Sequence, residues 1–196
     1  MSKILLLGAS GYIGGAFKAA LARRNFQTLT PSRAQMNYCN FEVLRQYIRE
    51  LGGIDFLINA AGFTGKPNVE QCEIKREETL QGNLLLPQML SHLAAVENFR
   101  WLQIGTGCIY SGDNGGNGFT EEDEPNFSFK YNNCSFYSGV KAVAEAYQRE
   151  DPRCYVARLR IPFDEHDGPR NYITKLLTYR KTYDNINSIS HIGDFV

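Results

Sequence analysis

The stretch Gly8-Ala9-Ser10-Gly11-Tyr12-Ile13-Gly14 follows a short apolar run and opens a pattern of helical periodicity. Its glycines have the spacing GxxGxxG. In a strand–turn–helix context this spacing is typical of dinucleotide binding, because the first glycine permits a tight turn, the second lets the backbone approach a pyrophosphate, and the third lets helix and strand pack closely. The free N–H groups and the dipole of a helix N-terminus also favour negative charge. The predicted cofactor residues of this turn are Gly8, Ser10, Gly11, Tyr12, Ile13 and Gly14. The alternative is a glycine-rich turn that binds no ligand.

The rest of the chain alternates between apolar runs typical of strands and stretches of helical periodicity. Predicted strands cover residues 3–7, 28–30, 55–59, 101–105 and 154–160, and predicted helices cover residues 13–24, 42–51, 75–96 and 135–149. Such alternation implies βαβ units and a parallel sheet with helices on both faces. We therefore predict an α/β fold of the Rossmann type, with a doubly wound parallel sheet. The glycine-rich and acidic residues 111–134 and the polar residues 164–171 are predicted loops, and a helical stretch at residues 172–183 follows.

Composition and charge exclude several classes of protein. The chain has 196 residues, and 21 Lys and Arg balance 21 Asp and Glu. Nucleic-acid binders usually carry a basic excess, so no nucleic-acid partner is expected. No apolar run approaches the ~20 residues that span a bilayer, so no membrane partner is expected. The five cysteines lack CxxC or zinc-type spacing, so no metal site is predicted. Their odd number without a disulfide framework indicates reduced thiols and a cytoplasmic protein.

The segment Thr30-Pro31-Ser32-Arg33, after the second predicted strand, indicates which dinucleotide is bound. Enzymes that prefer NAD usually place Asp or Glu about 20 residues after the glycine motif, to hold the ribose 2′-hydroxyl. No acidic residue occurs between Ala9 and Phe41. A hydroxyl and a guanidinium suit a 2′-phosphate instead, because Arg matches phosphate geometry. Ser32 and Arg33 therefore favour NADPH. NADH stays open as the alternative cofactor, and a solvated loop charge as the alternative role of Arg33.

Tyr137 and Lys141 form a YxxxK pair on a predicted helix. The i, i+4 spacing places both side chains on one face. An ammonium near a phenol favours the phenolate, so we expect Lys141 to lower the pKa of Tyr137 and to make it a general acid or base near neutral pH. The pair alone occurs often by chance, and its position between the fourth and fifth predicted strands gives it weight.

Four features together resemble the extended short-chain dehydrogenase/reductase family: the glycine motif, Asn59-Ala60-Ala61-Gly62, Thr106 after a strand, and the Tyr137/Lys141 pair. Longer stretches at residues 59–73, 105–110, 118–127, 135–141 and 169–175 are similar to one branch, the bifunctional nucleotide-sugar 3,5-epimerase/4-reductases of rhamnose synthesis. Those enzymes, relatives of the dTDP-4-dehydrorhamnose reductases, make UDP- or dTDP-rhamnose from the 4-keto-6-deoxyglucose nucleotide. The resemblance covers essentially the whole chain. It implies a nucleotide-sugar substrate and NADPH-dependent reduction of its 4-keto group, with 3,5-epimerisation.

The resemblance also implies roles for five residues. Thr106 would hydrogen-bond the C4 carbonyl oxygen, Tyr137 would protonate that oxygen as hydride arrives, and Lys141 would hold the nicotinamide ribose. Cys108 would exchange protons at C3 and C5, which are acidic because they flank the ketone, and Lys175 would be the partner acid on the opposite face. The plainer alternatives are a β-strand residue for Thr106, a small core residue for Cys108 and a solvated charge for Lys175.

Further residues are expected around the cofactor and the substrate. Asn59, Ala60, Ala61 and Pro162 match cofactor contacts of the family, and Asn171 joins Thr106 and Cys108 as a substrate-binding residue. Arg170 is a second candidate for the nucleotide diphosphate, with loop solvation as the alternative. Asn83 resembles a structural asparagine of the family. Glu73 lies in the segment expected near the sugar pocket, and no role is assigned to it.

The sequence departs from the family in two places. Asn37 and Asn40 stand where relatives often have Asp before the second helix. The chain ends at Val196, where relatives usually continue, so we expect a dinucleotide domain at residues 1–162, the start of a substrate lobe at residues 163–196, and an incomplete sugar-nucleotide site. Two interpretations stay open: the enzyme, and a non-catalytic dinucleotide-binding protein, regulatory or a truncated remnant of such an enzyme. Family members often pair through helices at the flank of the sheet, so a homodimer is one expectation.

Overall fold

A five-stranded parallel sheet with the strand order β2-β1-β3-β4-β5 forms the centre of the computed structural model, which describes residues 2–182 and 184–196. The strands are β1 (Lys3–Leu7), β2 (Gln27–Leu29), β3 (Phe56–Asn59), β4 (Arg100–Thr106) and β5 (Cys154–Leu159). All four pairings are parallel. The chain order reverses direction between β1 and β3, and this reversal creates a crevice at the carboxyl ends of those strands.

Helices pack on both faces of the sheet, which confirms the predicted α/β fold. They are α1 (Tyr12–Arg23), α2 (Phe41–Glu50), α3 (Gln71–Ile74), α4 (Arg76–Leu80), α5 (Leu86–Glu97) and α6 (Phe136–Arg149). A π-helical turn at Gln81–Leu85 joins α4 to α5 and interrupts the helix predicted at residues 75–96. The other predicted strands and helices of the sheet domain end within one residue of the observed bounds. Within the described ranges, no helix combines the length and apolarity that a bilayer crossing needs.

The residues of β1 alternate between two hydrophobic clusters, because successive side chains of a strand point to opposite faces. Leu5 and Leu7 pack with residues of α2 and α5, and Ile4 and Leu6 pack with residues of α1. A strand buried on both faces is continuously apolar, which explains the run at residues 4–7. By packing on both faces of β1, the two clusters fix the position of the glycine motif, which begins directly after β1.

The residues after β5 form a smaller unit. It contains a two-stranded parallel sheet of β6 (Pro162–Phe163) and β7 (Ser190–His191), with α7 (Tyr172–Leu176) and α8 (Ile192–Phe195). The helix predicted at residues 172–183 was wrong beyond Leu176. Leu177 is 81% exposed, so no apolar contact is available to extend α7. Tyr183 lies outside the described residues.

The last residues of the chain pack against α1. The Phe195 ring of α8 meets the Phe17 ring of α1 edge-on, with centroids 6.1 Å apart. Val196 also packs against the cluster that contains Phe17. The boundary predicted at residue 162 stays a prediction, with β6 beginning at that residue.

Candidate active site

The glycine motif lies at the crevice between β1 and β3. Gly8 has a φ of +77°, and a Cβ placed on it would lie 2.5 Å from the backbone nitrogen of Ala61. A Cβ placed on Gly14 would lie 2.1 Å from the carbonyl oxygen of Gly8. Neither position can accept a side chain without moving backbone, because both contacts are far below van der Waals distance. The tight turn and the close helix packing that the spacing predicted are therefore present.

The N-terminus of α1 is available to an anion. Its N-cap residue is Gly11, and no side chain of the described residues caps the helix. By contrast, the side chain of Asn40 caps α2 and the side chain of Ser135 caps α6. The first-turn N–H groups of α1, which include those of Tyr12 and Ile13, are therefore free to bind a phosphate. The Ile13 side chain itself packs into the core.

A cleft of about 470 Å³ extends from this turn to the end of β2. Predicted cofactor residues from three separate segments line it: Gly8, Ser10 and Gly11, then Ser32 and Arg33, then Ala60 and Ala61. Lys18 lines the same cleft and was not predicted from the sequence. Its position one helical turn after Gly14 is the signal that could have identified it, because i and i+4 share a helix face.

Arg33 and Lys18 both line the cleft and make it basic. The Nε of Arg33 donates a hydrogen bond to the Tyr38 hydroxyl at 3.1 Å, and this bond raises the pKa of Arg33. Tyr38 is buried and Arg33 is exposed, so the hydrogen bond to Tyr38 restrains the Arg33 side chain at its Nε. The Ser32 hydroxyl donates to Gln35 Oε1 at 2.9 Å. Two cations and a hydroxyl in the lining of the cleft suit an additional phosphate group.

Asn59 supports the wall of the cleft that Ala60 and Ala61 form. It is fully buried at the end of β3, where its Oδ1 accepts a hydrogen bond from the backbone of Ala61 at 3.2 Å. Its Nδ2 donates to Gln103 Oε1 at 2.8 Å. Gln103 was not predicted, although a polar residue inside the apolar run of β4 is the signal for it. Asn59 therefore holds the turn that carries Ala60 and Ala61.

Asn83 clamps the next part of the same turn. Its Oδ1 accepts from the backbone N–H of Phe63 at 3.1 Å, and its Nδ2 donates to the carbonyl oxygen of Phe63 at 2.7 Å. A Cβ placed on Gly62 would lie 2.9 Å from this Oδ1. These contacts agree with the structural role that the family resemblance implied.

Four of the predicted catalytic residues meet at the carboxyl end of β4. Thr106 ends the strand, and its Oγ1 accepts a hydrogen bond from the backbone of Cys108 at 3.1 Å, which starts the 3-10 turn Gly107–Ile109. Tyr137 and Lys141 approach from α6. Burial raises the pKa of Tyr137 above its ordinary range, the nearby Cys108 adds to the rise, and hydrogen bonding to Thr106 opposes it.

The environment of Tyr137 corrects one expectation. The expectation of a lowered pKa for Tyr137 was wrong: its pKa is raised, because desolvation of the phenol outweighs the favourable contact with Thr106. Lys141 is itself buried, and burial lowers its pKa to about 8, with Glu145 opposing the shift. Tyr137 therefore keeps its proton at neutral pH, which suits a proton donor.

Cys108 and Lys175 do not line the same cavity. Cys108 lines a cavity of about 730 Å³, together with Ser138, Arg160 and residues 184–187. Lys175 is half-buried on α7 and is not among the described residues that line this cavity. Arg160 was not predicted: its side chain packs on Gly107, and its Nε donates to Asn187 Oδ1 at 2.9 Å. The role of Lys175 as the opposite acid stays a prediction.

The family model described as RmlD substrate binding domain matches residues 2–191. The chain belongs to this RmlD family. The resemblance noted in the sequence is therefore confirmed at the level of the family.

Relatives of this RmlD-family chain include two proteins of Arabidopsis thaliana. One is a trifunctional UDP-glucose 4,6-dehydratase/UDP-4-keto-6-deoxy-D-glucose 3,5-epimerase/UDP-4-keto-L-rhamnose-reductase, 31% identical over 202 residues, which are 99% of this chain and 29% of the relative. The other is a bifunctional dTDP-4-dehydrorhamnose 3,5-epimerase/dTDP-4-dehydrorhamnose reductase, 31% identical over 201 residues, which are 98% of this chain and 63% of the relative.

A solved structure gives the same picture. The L780 UDP-rhamnose synthase from Acanthamoeba polyphaga mimivirus matches with a TM-score of 0.79 and 28% identity, over 90% of this chain and 62% of that chain. The RmlD-family chain thus spans less than two thirds of the length of each of these relatives. The predicted homodimer stays a prediction.

In the RmlD-family chain, the predicted substrate-binding residue Asn171 makes its hydrogen bonds within its own loop. It is 2% exposed and caps α7, where its Oδ1 accepts from the backbone of Ile173 at 2.9 Å. Its Nδ2 donates to the carbonyl oxygens of Asp164 and His166 at 2.8 and 2.7 Å. The structure therefore gives Asn171 a loop-shaping position, and its contact with substrate stays a prediction.

Arg170 ties this loop to the turn after β3. Its two terminal nitrogens donate to Thr64 Oγ1 at 3.2 Å and to the carbonyl oxygen of Gly65 at 3.0 Å. Pro162, predicted to contact the cofactor, begins β6 directly after Ile161, a β-branched residue with a φ of +43°. Such backbone strain concentrates at functional sites, and the predicted contact of Pro162 with the cofactor stays a prediction.

Proposed function

We propose that this RmlD-family chain is an NADPH-dependent enzyme that reduces the 4-keto group of a UDP- or dTDP-linked 4-keto-6-deoxyhexose. The observation that carries the proposal is the cluster of Thr106, Tyr137 and Lys141 at the end of β4. This strand lies next to β3, whose Asn59 supports the turn of Ala60 and Ala61 at the cleft. The names of the relatives, which include UDP-4-keto-L-rhamnose reductase and dTDP-4-dehydrorhamnose reductase activities, support the substrate class.

The residues of the cleft fit a phosphorylated dinucleotide. The uncapped N-terminus of α1 offers N–H groups to a pyrophosphate, and the absence of a side chain at Gly8 and Gly14 gives the backbone the required shape. Arg33 and Lys18 supply the positive charge that distinguishes NADPH from NADH. When bound, the dinucleotide supplies the hydride for C4.

Tyr137 acts as the proton donor in this proposal. Because burial keeps the phenol protonated at neutral pH, it can transfer its proton to the C4 oxygen as the carbon is reduced. Thr106 donates a hydrogen bond to the same oxygen and so polarises the carbonyl group. Lys141, whose pKa of about 8 leaves it mostly charged at neutral pH, stabilises the phenolate until solvent returns the proton.

Epimerisation at C3 and C5 is the second activity that we propose. Cys108, half-exposed in its cavity, is the base that removes a proton beside the ketone. The resulting enolate carries its charge on the C4 oxygen, where Thr106 and Tyr137 hydrogen-bond it. Inversion then needs a proton on the opposite face, and Lys175 is the residue proposed to deliver it. Reduction has the fuller support, because its three residues are already assembled.

Turnover in deuterated water tests both activities. The protein is mixed with NADPH and either UDP- or dTDP-4-keto-6-deoxyglucose, NADPH absorbance is followed, and the sugar product is analysed by mass. We expect NADPH consumption with one nucleotide and deuterium at C3 and C5 of the product. In Tyr137→Phe, consumption should fall by about 10²-fold or more and stay measurable. NADPH binding without turnover of either substrate would contradict the enzyme and would favour a non-catalytic dinucleotide-binding protein.

A further inference from the structure

Glu73 is hydrogen-bonded to the first residue of the helix that carries Tyr137. Its Oε1 accepts from the backbone N–H of Phe136 at 2.6 Å, although the two residues are 63 positions apart. Phe136 begins α6 and directly precedes Tyr137. No role for Glu73 was predicted from the sequence. The contact joins α3 to the catalytic helix next to the proposed proton donor.

The N–H groups at the start of α6 donate to acceptors from two residues, Ser135 and Glu73. The Ser135 hydroxyl accepts from the backbone of Ser138 at 3.2 Å, and the Ser135 carbonyl oxygen accepts from Gly139 at 2.9 Å. Glu73 provides the acceptor for Phe136, which a local cap does not satisfy. A carboxylate at this end also complements the helix dipole. The start of α6 is therefore fixed both by its own cap and by a residue from a distant segment.

The side chain of Phe136 is held as well as its backbone. The Arg76 guanidinium lies over the Phe136 ring, 5.0 Å from its centroid, and Arg76 Nε donates to the carbonyl oxygen of Glu73 at 3.1 Å. The Phe129 ring lies 5.8 Å from the Phe136 ring and fills the space above Gly139, where a Cβ would lie 2.2 Å from it. Glu73 and Arg76 thus contact the backbone and the ring of Phe136 at the start of α6.

The segment that carries Glu73 contacts the turn after β3. Cys72, its neighbour, is fully buried, with its thiol 3.9 Å from the carbonyl oxygen of Phe63. Phe63 is the residue that Asn83 clamps on both its backbone groups. A continuous set of contacts therefore runs from the dinucleotide cleft to the residue before Tyr137.

We infer that Glu73 is a positioning residue for Tyr137. It holds α6 in register with the turn after β3, so that the phenol stays aligned with Thr106 and the cofactor cleft. The inference rests on the proposed function, in which Tyr137 donates the proton. Glu73 itself does not contact the reacting atoms in this scheme.

Two variants separate the hydrogen bond from the charge. Glu73→Ala removes the acceptor, and Glu73→Gln keeps an acceptor oxygen without the charge. Because a misplacement of about 1 Å can cost on the order of 10²-fold in rate, we expect Glu73→Ala to lower kcat by at least about tenfold and to leave the Kd for NADPH within about twofold. Glu73→Gln should recover most of the rate. The matched control is Glu78→Ala, an exposed carboxylate on α4.

The test combines a double-mutant cycle with hydrogen exchange. If Glu73 acts through Tyr137, Glu73→Ala adds no further loss of kcat to Tyr137→Phe. Amide exchange of residues 136–141 should be faster in Glu73→Ala than in wild type or Glu78→Ala, with exchange elsewhere unchanged, and this readout needs no turnover.

The outcomes distinguish this inference from the proposed function. If wild type turns over neither substrate, the proposed function fails and the positioning role fails with it, whatever the exchange shows. If wild type turns over but Glu73→Ala keeps the wild-type kcat, or its loss multiplies with that of Tyr137→Phe, the inference alone is overturned. Faster exchange throughout the chain would show a general structural role and would also overturn it.

Discussion

The ammonium of Lys141 donates a hydrogen bond to the carbonyl oxygen of Ile104 at 3.0 Å and so ties α6 to β4 at a buried position. Lys141 is only 8% exposed, and burial lowers its pKa to about 8 from the ordinary 10.5. The ammonium group that we propose to stabilise the Tyr137 phenolate therefore titrates close to physiological pH.

We expect reductase activity to fall as the pH rises through about 8, because Lys141 then loses its charge. Lys141→Arg should move this fall to higher pH, since a guanidinium stays charged. The measurement is kcat/KM for NADPH oxidation from neutral pH to about 10. A wild-type profile that stays flat through pH 8 would contradict the assignment.

Stability should change in the opposite direction over the same range. Between about 8 and 10.5 the unfolded chain keeps a proton on Lys141 that the folded chain has lost, so this group adds stability as the pH rises. Below about pH 8 the buried charge costs the folded state most. Urea unfolding of wild type and Lys141→Met at several pH values isolates this contribution, and an equal pH dependence in both proteins would speak against it.

Gly14 and Gly15 are neighbours that should respond oppositely to alanine. A Cβ on Gly14 would overlap the Gly8 carbonyl oxygen at 2.1 Å, whereas a Cβ on Gly15 would meet nothing closer than 3.8 Å. We expect Gly14→Ala to lower the free energy of unfolding by about 1–3 kcal/mol or more and to abolish NADPH binding. Gly15→Ala should raise stability by up to about 1 kcal/mol, since alanine favours helix. Urea unfolding and NADPH fluorescence titration decide it, and similar effects of the two variants would disprove the packing argument.

Arg33 and Lys18 should determine the choice between NADPH and NADH. Because a charged hydrogen bond contributes about 1.5–3 kcal/mol, Arg33→Ala should raise the Kd for NADPH by about tenfold or more and change the Kd for NADH by less than about twofold. Lys18→Ala should act in the same direction. Arg24→Ala, an exposed cation at the other end of α1, serves as the control. Equal losses for both cofactors in calorimetric titrations would remove the 2′-phosphate contact from Arg33.

The sequence predicted the features that depend on residues close to one another in the chain. The spacing of Gly8, Gly11 and Gly14 encodes one turn and one helix start, so the cofactor turn could be found without any tertiary information. Apart from α3 and the helix interrupted at Gln81–Leu85, the strands and helices of the sheet domain were predicted to within a residue, because continuous apolar runs mark buried strands and a 3.6-residue period marks helices. Asn83 could be placed only by resemblance, since nothing in its own segment points to Phe63.

Lys18 and Gln103 were missed despite a local signal, whereas the other missed features depend on contacts between distant segments or on burial in the fold. Glu73 and Phe136 meet across 63 residues, and no local pattern indicates such a pair. The pKa of Tyr137 depends on its desolvation in the fold, which its spacing from Lys141 does not show, so the direction expected from the sequence was wrong. The helix expected through residue 183 failed for a related reason, since Leu177 finds no partner for burial.

Cys108 should carry epimerisation and leave reduction intact. In Cys108→Ala, deuterium incorporation at C3 and C5 should fall by at least about 10²-fold, because a general base contributes about 10²–10⁴-fold to proton transfer. Reduction of a nucleotide-linked 4-keto-rhamnose, which needs no epimerisation, should continue because Thr106 and Tyr137 remain. The control is Cys154→Ala, since burial raises the pKa of that thiol to about 12 and keeps it protonated at neutral pH.

Lys175 gives the opposite signature if it is the second acid. Lys175→Met keeps the base, so deuterium still exchanges from the face of Cys108, but the inverted sugar does not accumulate because no proton arrives on the other face. Mass analysis detects the exchange and chromatography of the reduced sugars detects the inversion. Since Lys175 lies outside the cavity of Cys108, inversion that persists in Lys175→Met would assign the second proton to another group. Arg160 and residues 184–187, which do line that cavity, would then be the segments to vary next.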